Sequence, residues 1–158
     1  MRFTRFTDLS LRVLMYVSAR PAGELATVTE IAERIGWSRN HIVKVVHRMS
    51  CEGWLRTQRG RSGGLELALP ATELRLGDIV RTLEGAEPLV DCAEPLCPMA
   101  RGCRLPRALD RALEAFYAEL NTITLADLAS TGDFLPLFSM ENVIPIAAER
   151  SEKARAEV

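Results

Sequence analysis

A chain of 158 residues, 47% hydrophobic and 26% charged, has room for one domain and an extension, not for two large independent cores. The net charge of −1 conceals a polarity: residues 1–81 hold 13 Lys and Arg against 8 Asp and Glu, and residues 82–158 hold 7 against 13. A basic front and an acidic rear suggest a polyanion partner held at one end. No stretch approaches the roughly 18–20 uninterrupted apolar residues of a membrane span, so no membrane partner is expected. The opening MRFTRFTDLSLRVLMYVSA imitates a signal peptide with Arg2 and Arg5, but Asp8 and Arg12 interrupt the apolar run. It reads as a helix of a cytoplasmic protein, a compartment that suits reduced cysteines.

In chain order, Thr7 is expected to cap a first helix carrying Leu9, Val13 and Val17 to about Arg20, where Pro21-Ala22-Gly23 ends it. Thr29 would cap a second helix with the face Ile31, Ala32 and Ile35, closed by Gly36. One residue later Ser38 can cap a third helix through Ile42, Val43, Val46 and Met49 to about Cys51. Two helices across so tight a turn, with small Ala32 four residues before Gly36, predict a helix-turn-helix. Trp54–Gln58 and the alternating Leu65, Leu67 and Leu69 flank the turn Arg59-Gly60-Arg61-Ser62-Gly63-Gly64, which predicts a β-wing ended by Pro70.

A compact helix follows over Leu76–Leu83, released at Gly85. Beyond a cysteine-rich stretch, Leu105, Leu109, Leu113, Phe116 and Leu120 recur at helical steps, forming an apolar stripe on a helix of about 17 residues. Ala108, Ala112 and Ala115 keep its flank thin. A small winged head leaves little chain to cover that stripe, so a homodimer is expected. Thr124 would cap a short last helix, LADLA, and residues from Gly132 onward read as a charged, mobile end.

The third helix places Ser38, Arg39, Asn40 and His41 in its first turn, where free backbone N–H groups suit phosphate. Arg can grip guanine and Asn adenine, each through two bonds, and Lys44 and Arg48 continue a polar face. In the wing, Arg59 and Arg61 flank Gly60, and Gly63 and Gly64 allow a bend close to a duplex; such arginines meet phosphates or the minor groove. A solvated helix face and a plain hairpin turn are the bland alternatives. His41 and His47 are six positions apart and do not form an i, i+4 metal pair, so His41 is a DNA-contact candidate and His47 ordinary. Cys51 reads as a small half-buried residue.

Cys92, Cys97 and Cys103 lie in DCAEPLCPMARGC with four and five residues between them, and Cys51 is 41 positions before the first. Three thiols so placed suit a metal or iron–sulfur site better than a disulfide framework. The chain has no CxxC, the spacing that structural zinc and thioredoxin-like chemistry prefer. No catalytic constellation stands out, and no enzyme activity is expected. A fourth ligand must come from outside the loop.

Together FTDLSLRVLMY, SRNHIVKVV, RGRSGG, LGDIVRTLEG, the cysteine spacing and TLADL resemble, from about Met1 to Ala129, the winged-helix iron–sulfur regulator family that includes IscR, NsrR and RirA. SRNHIVKVV and the cysteine spacing are most similar to the NsrR branch of nitric-oxide-sensing repressors. The resemblance implies that Cys92, Cys97 and Cys103 are cluster ligands and that Asp8, in FTD, is a fourth ligand acting across a dimer. The IscR branch has a His three residues after its last cysteine, where this chain has Pro106, and RirA spaces its first two cysteines more widely.

The expected protein is mainly α with a small β-wing: a winged helix-turn-helix head over 1–84, a cluster loop over 85–104, a dimerisation helix and short terminal helix over 105–130, and a tail over 131–158. Its expected function is a homodimeric repressor on a near-palindromic double-stranded operator. It would hold one iron–sulfur cluster per subunit, 4Fe–4S or alternatively 2Fe–2S, and release DNA on nitric oxide. The rival readings are an iron- or redox-responsive regulator of the same family, a zinc-stabilised DNA-binding protein and a small iron–sulfur electron carrier.

Overall fold

A computed structural model describes residues 2–21, 23–60, 63–85, 88–94, 96–99 and 102–129. The expected mobile end and Arg61 of the wing lie outside the described residues. The elements run α1 (Arg5–Ser18), α2 (Val28–Ile35), α3 (Arg39–Cys51), β1 (Leu55–Gln58), β2 (Gly64–Leu67), α4 (Leu76–Glu84), α5 (Leu105–Leu120) and α6 (Leu125–Ala129). This is the predicted fold, mostly helical with one two-stranded antiparallel sheet. No helix among the described residues is long and apolar enough to cross a membrane.

Two caps differ from expectation, and both differences have a local cause. Thr4, not Thr7, is the N-cap of α1: its Oγ1 accepts the Thr7 backbone N–H at 3.1 Å, which puts Thr7 inside the first turn, fully buried. In α2 the cap is Thr27, not Thr29, because Thr27 and Glu30 form a reciprocal box in which Glu30 N–H donates to Thr27 Oγ1 and Thr27 N–H to Glu30 Oε2. Only Thr27 is three residues before a carboxylate able to reach back. Gly36 ends α2 in the left-handed region (φ 73°), as its position implied. Ser38 holds the N-cap position of α3 but makes no capping bond, since its hydroxyl is bonded to His41 Nδ1 at 2.6 Å.

One core joins α1, α2, α3, the wing and α4. Leu9, Val13, Leu14, Ile31, Ile42, Val45, Met49 and Ile79 are all at most 2% exposed, and α6 sends Leu125 into the same cluster. The sheet pairs Leu55 with Leu67 and Gln58 with Gly64. A further bridge from Ala26 to Leu65, with bonds of 3.0 and 2.8 Å, pins the wing to the residue before the α2 cap. A side chain at Gly64 would meet Leu25 Cβ at 2.7 Å and Ala26 O at 2.8 Å, so glycine permits this close approach. Leu69 does not extend the alternation: β2 stops at Leu67 and Leu69 is 42% exposed.

The long helix is attached to the head by polar contacts. At the start of α4 the N-cap is Arg75, which has no side chain suited to capping; Asn121, just past α5, supplies the bond instead. Its Oδ1 accepts the Asp78 N–H at 2.9 Å and its amide donates to Asp78 Oδ1 at 2.8 Å. Arg81 grips Glu114 through two bonds of 2.7 and 2.6 Å and lies 4.3 Å over the Tyr117 ring. Gly77 allows this approach, because a Cβ there would fall 2.3 Å from Tyr117 O.

Candidate nucleic-acid interface and cysteine loop

The first turn of α3 projects from the head with Ser38, Arg39, Asn40, His41 and Lys44 all exposed, while Ile42, Val45, Val46 and Met49 anchor the opposite face in the core. The expected polar face is therefore present. Arg39 shares a cleft of about 330 Å³ with Gly60, Gly63 and Gly64 of the wing and with Thr27 and Thr29 at the start of α2. His41 and Lys44 line a different hollow, on the α1 side of the helix. His41 stands edge-on to Trp37 with ring centres 5.6 Å apart, and its bond to Ser38 fixes the ring. Arg59 and Gly60 are exposed at the wing tip. The candidate DNA residues thus form two basic edges around one helix end.

Cys51 is exposed rather than half-buried, because it falls on the solvent face of α3 with Lys44, His47 and Arg48, opposite Met49. Its Sγ is 3.9 Å from Nε2 of His47, one turn back, a pair the i, i+4 spacing of the sequence could have flagged.

The cysteine loop joins α4 to α5, and Cys92, Cys97 and Cys103 are free and half-buried. Two turns shape it: Cys97 N–H donates to Cys92 O at 3.1 Å, and Cys103 N–H to Met99 O at 3.0 Å. Asp91 Oδ1 accepts from the N–H groups of Ala93 and Glu94 at its start. Partial burial, then the charges of Cys97, Cys103 and Asp91, pushes the Cys92 thiol up. Among the described residues no group of three or more His, Cys, Asp or Glu stands ready to hold a metal ion. The donor set is the right chemistry for iron–sulfur ligation, three soft thiols free of disulfides, but a bound group would have to draw them together.

Asp8 is not part of this loop. It lies on α1 with its side chain 48% exposed, and Arg12 Nε donates to both of its oxygens at 3.1 and 3.0 Å. Within the protomer, α4 rather than the loop reaches the start of α1. Thr4 N–H donates to Glu84 Oε1 at 2.8 Å, tying the α1 cap to the last residue of α4. Burial raises the Glu84 carboxyl, but bonds from Thr7 and Thr4 outweigh it and hold it below the usual carboxylate value. Sequence patterns gave no sign of this contact across 80 positions.

A family model, Rrf2, described as an iron-dependent transcriptional regulator, matches residues 3–131. The fold is similar to that of CymR (YrzC), the global cysteine regulator of B. subtilis, at 25% identity and a TM-score of 0.64, over 82% of this chain and 97% of that one. Staphylococcus aureus CymR is similar at 26% identity and a TM-score of 0.62, over 80% and 96% of the two chains. T. potens IscR shares the fold at 20% identity and a TM-score of 0.64, over 82% and 87%. With its winged head, α5 and cysteine loop inside the matched span, the chain belongs to the Rrf2 family of transcriptional regulators.

Proposed function

We propose that this chain is a homodimeric repressor of the NsrR type, which reads DNA with α3 and the wing, holds an iron–sulfur cluster in its cysteine loop and responds to nitric oxide. The observation that carries the reading is the position of three free, half-buried thiols in the segment that leads from the head into α5, in a chain of a family described as iron-dependent. Cys92, Cys97 and Cys103 would hold the cluster as thiolates, and Asp8 of the partner subunit would serve as the fourth ligand. Its 48% exposure leaves that carboxylate accessible. Such a cluster, 4Fe–4S or alternatively 2Fe–2S, would supply iron reactive toward nitric oxide.

The chain's own residues then convert ligation into DNA affinity. Arg39 and Asn40 face base edges, and Lys44, Arg59, Gly60, Arg61, Gly63 and Gly64 meet the backbone or minor groove, with Ser38 and His41 shaping the entering turn. A dimer built on the α5 stripe sets two α3 helices about one helical turn of DNA apart on a near-palindromic site. Because α1 packs on α3 in the core, freeing Asp8 would release each head from the partner's loop, shift it within the dimer and misalign both recognition helices. A bias on the order of a few kcal/mol is enough to empty an operator.

Anaerobic purification of the full chain tests this directly. The expected sample is brown, with visible thiolate-to-iron absorption that nitric oxide bleaches as operator DNA is released. A colourless, zinc-bearing protein that binds DNA equally well with and without nitric oxide contradicts it. The family's description as iron-dependent favours one second reading, a regulator that responds to iron supply. That reading predicts release on iron chelation and indifference to nitric oxide.

A further inference from the structure

A pair of metal-ligating side chains lies outside the cysteine loop. His47 and Cys51 face solvent one turn apart at the end of α3, with the Cys51 Sγ 3.9 Å from the His47 Nε2. Among the described residues neither has another polar partner. Neither is used in holding a cluster or in contacting DNA as described above. A thiol and an imidazole are both ligands that a thiophilic cation selects.

Their separation fits a shared metal ion. Zinc bonded to a thiolate at about 2.3 Å and to an imidazole nitrogen at about 2.0 Å spaces the two atoms by about 3.5 Å at the tetrahedral angle, and by more as the angle opens. The pair as folded is within a few tenths of an ångström of that spacing, a small adjustment for two exposed side chains. The surrounding charge fits as well. Both residues lie in the last turns of α3, where the unpaired carbonyl groups form the negative end of the helix dipole. The neighbouring arginine is neutralised and turned away: Arg48 Nε is 2.7 Å from Glu52 Oε1, and its Nη2 donates to the Thr82 carbonyl at the α4 side. Lys44, the other cation of this face, lines the hollow toward α1.

We propose that His47 and Cys51 form a second metal site, on α3, for a divalent cation of the zinc class. His47 binds through its Nε2 lone pair, Cys51 releases its proton to solvent and binds as the thiolate, and water fills the remaining positions. No redox step is involved. With only two protein ligands, the site fills and empties with the free metal concentration. Asn40, Lys44, His47 and Cys51 follow at steps of 4, 3 and 4, so the metal sits on the strip of α3 that Asn40 begins, about 13 Å further along the helix. Filling the site replaces a neutral thiol and ring by a group with one net positive charge, which strengthens the hold of this face on a phosphate backbone. That use rests on the α3 reading above; the site itself does not.

Equilibrium dialysis of the anaerobically purified full-length protein against micromolar free zinc, followed by elemental analysis, tests the site. Wild type should carry one more zinc per chain than Cys51→Ser or His47→Ala, with iron content and far-ultraviolet circular dichroism the same in all three. The readout is the difference between proteins, so it holds whether the cysteine loop carries iron, zinc or neither. Equal zinc in wild type and Cys51→Ser overturns the site, as does full retention of the ion by His47→Ala. Operator titrations across a range of salt test the use. Zinc should steepen the salt dependence of wild type by about one unit of slope and leave Cys51→Ser unchanged. Zinc that binds at the pair without moving the slope refutes the role in DNA binding. A colourless protein that still shows the zinc difference sinks the cluster reading and keeps this site.

Discussion

The head and the segment from the cysteine loop through α5 are built on opposite principles. In the head, nearly every turn of helix sends a side chain into a shared core, with Leu14, Ile31, Ile42 and Met49 fully buried. Among the described residues of the loop and α5 only Tyr117 is buried; Leu96, Met99 and Leu105 are 81%, 70% and 54% exposed, and the rest of the α5 stripe is half-covered. The head is complete as one chain. Among the described residues, the second region leaves Leu96, Met99 and Leu105 largely uncovered and its three thiols without a disulfide, the composition expected of a part completed by a second copy and a bound group under the proposed function.

The largest expected effect falls on the second region and leaves the first untouched. Cys97→Ala should abolish stable cluster binding, since three thiolates supply most of the ligand set, while the head keeps its far-ultraviolet circular dichroism. Cys51→Ala should keep the colour. The reverse result, bleaching by Cys51→Ala and not by Cys97→Ala, shows the ligand assignment to be wrong.

Core truncation should act the other way round. Met49→Ala should destabilise the head by about 2–5 kcal/mol in urea unfolding, the range for emptying a filled core site. Leu113→Ala, on the half-buried stripe, should leave unfolding of the head close to wild type and instead weaken the dimer in sedimentation. Equal losses of head stability from both would erase the distinction between the two regions.

On the DNA face, Arg39→Ala and Asn40→Ala should each cost roughly 1–3 kcal/mol on the operator and much less on random DNA. Arg59→Ala should weaken both and flatten the salt dependence. Titrating each variant against operator and random duplex at several salt concentrations separates base reading from backbone contact.

The smallest effect concerns pH. Glu30 sits at the foot of the head, accepting from the Tyr16 hydroxyl at 2.5 Å and paired with Arg20. Burial raises its carboxyl, but the Tyr16 and Thr27 bonds and the Arg20 charge outweigh that and hold it below its ordinary 4.5. Its stabilising contribution is complete above that value and is lost as pH falls through the lower folded-state value. Glu30→Gln should therefore lower stability at neutral pH and flatten the acid limb of the stability curve, as followed by thermal unfolding from pH 7 to pH 3.

Local regularities made most of the head legible. Helical spacing located α1 to α5, Gly36 and Gly85 marked helix ends, and the glycine-rich turn located the wing. The errors arose where two local signals competed. Thr7 and Thr29 are good caps in isolation, but Thr4 and Thr27 have the better-placed partners. Cys51 looked half-buried because it follows Met49 in a core helix, yet it shares the solvent face with His47 and Arg48. Contacts between distant segments left no pattern to read: Asn121 capping α4 and Glu84 holding Thr4 are single polar residues whose partners lie 43 and 80 positions away. For the candidate site, the sequence supplied the residue types and their helix face, but not the division into two basic edges or the hollow beside Lys44.

The central claim is that the thiol-bearing region controls the head through Asp8. Asp8→Ala, assayed for operator affinity with and without nitric oxide, tests it most directly. The thiol triad should still retain iron and some colour, operator affinity should fall toward that of the nitric-oxide-treated wild type, and nitric oxide should then change it little. An Asp8→Ala protein that binds its operator at wild-type strength and still lets go on nitric oxide exposure contradicts the account, and places the signal in the loop alone.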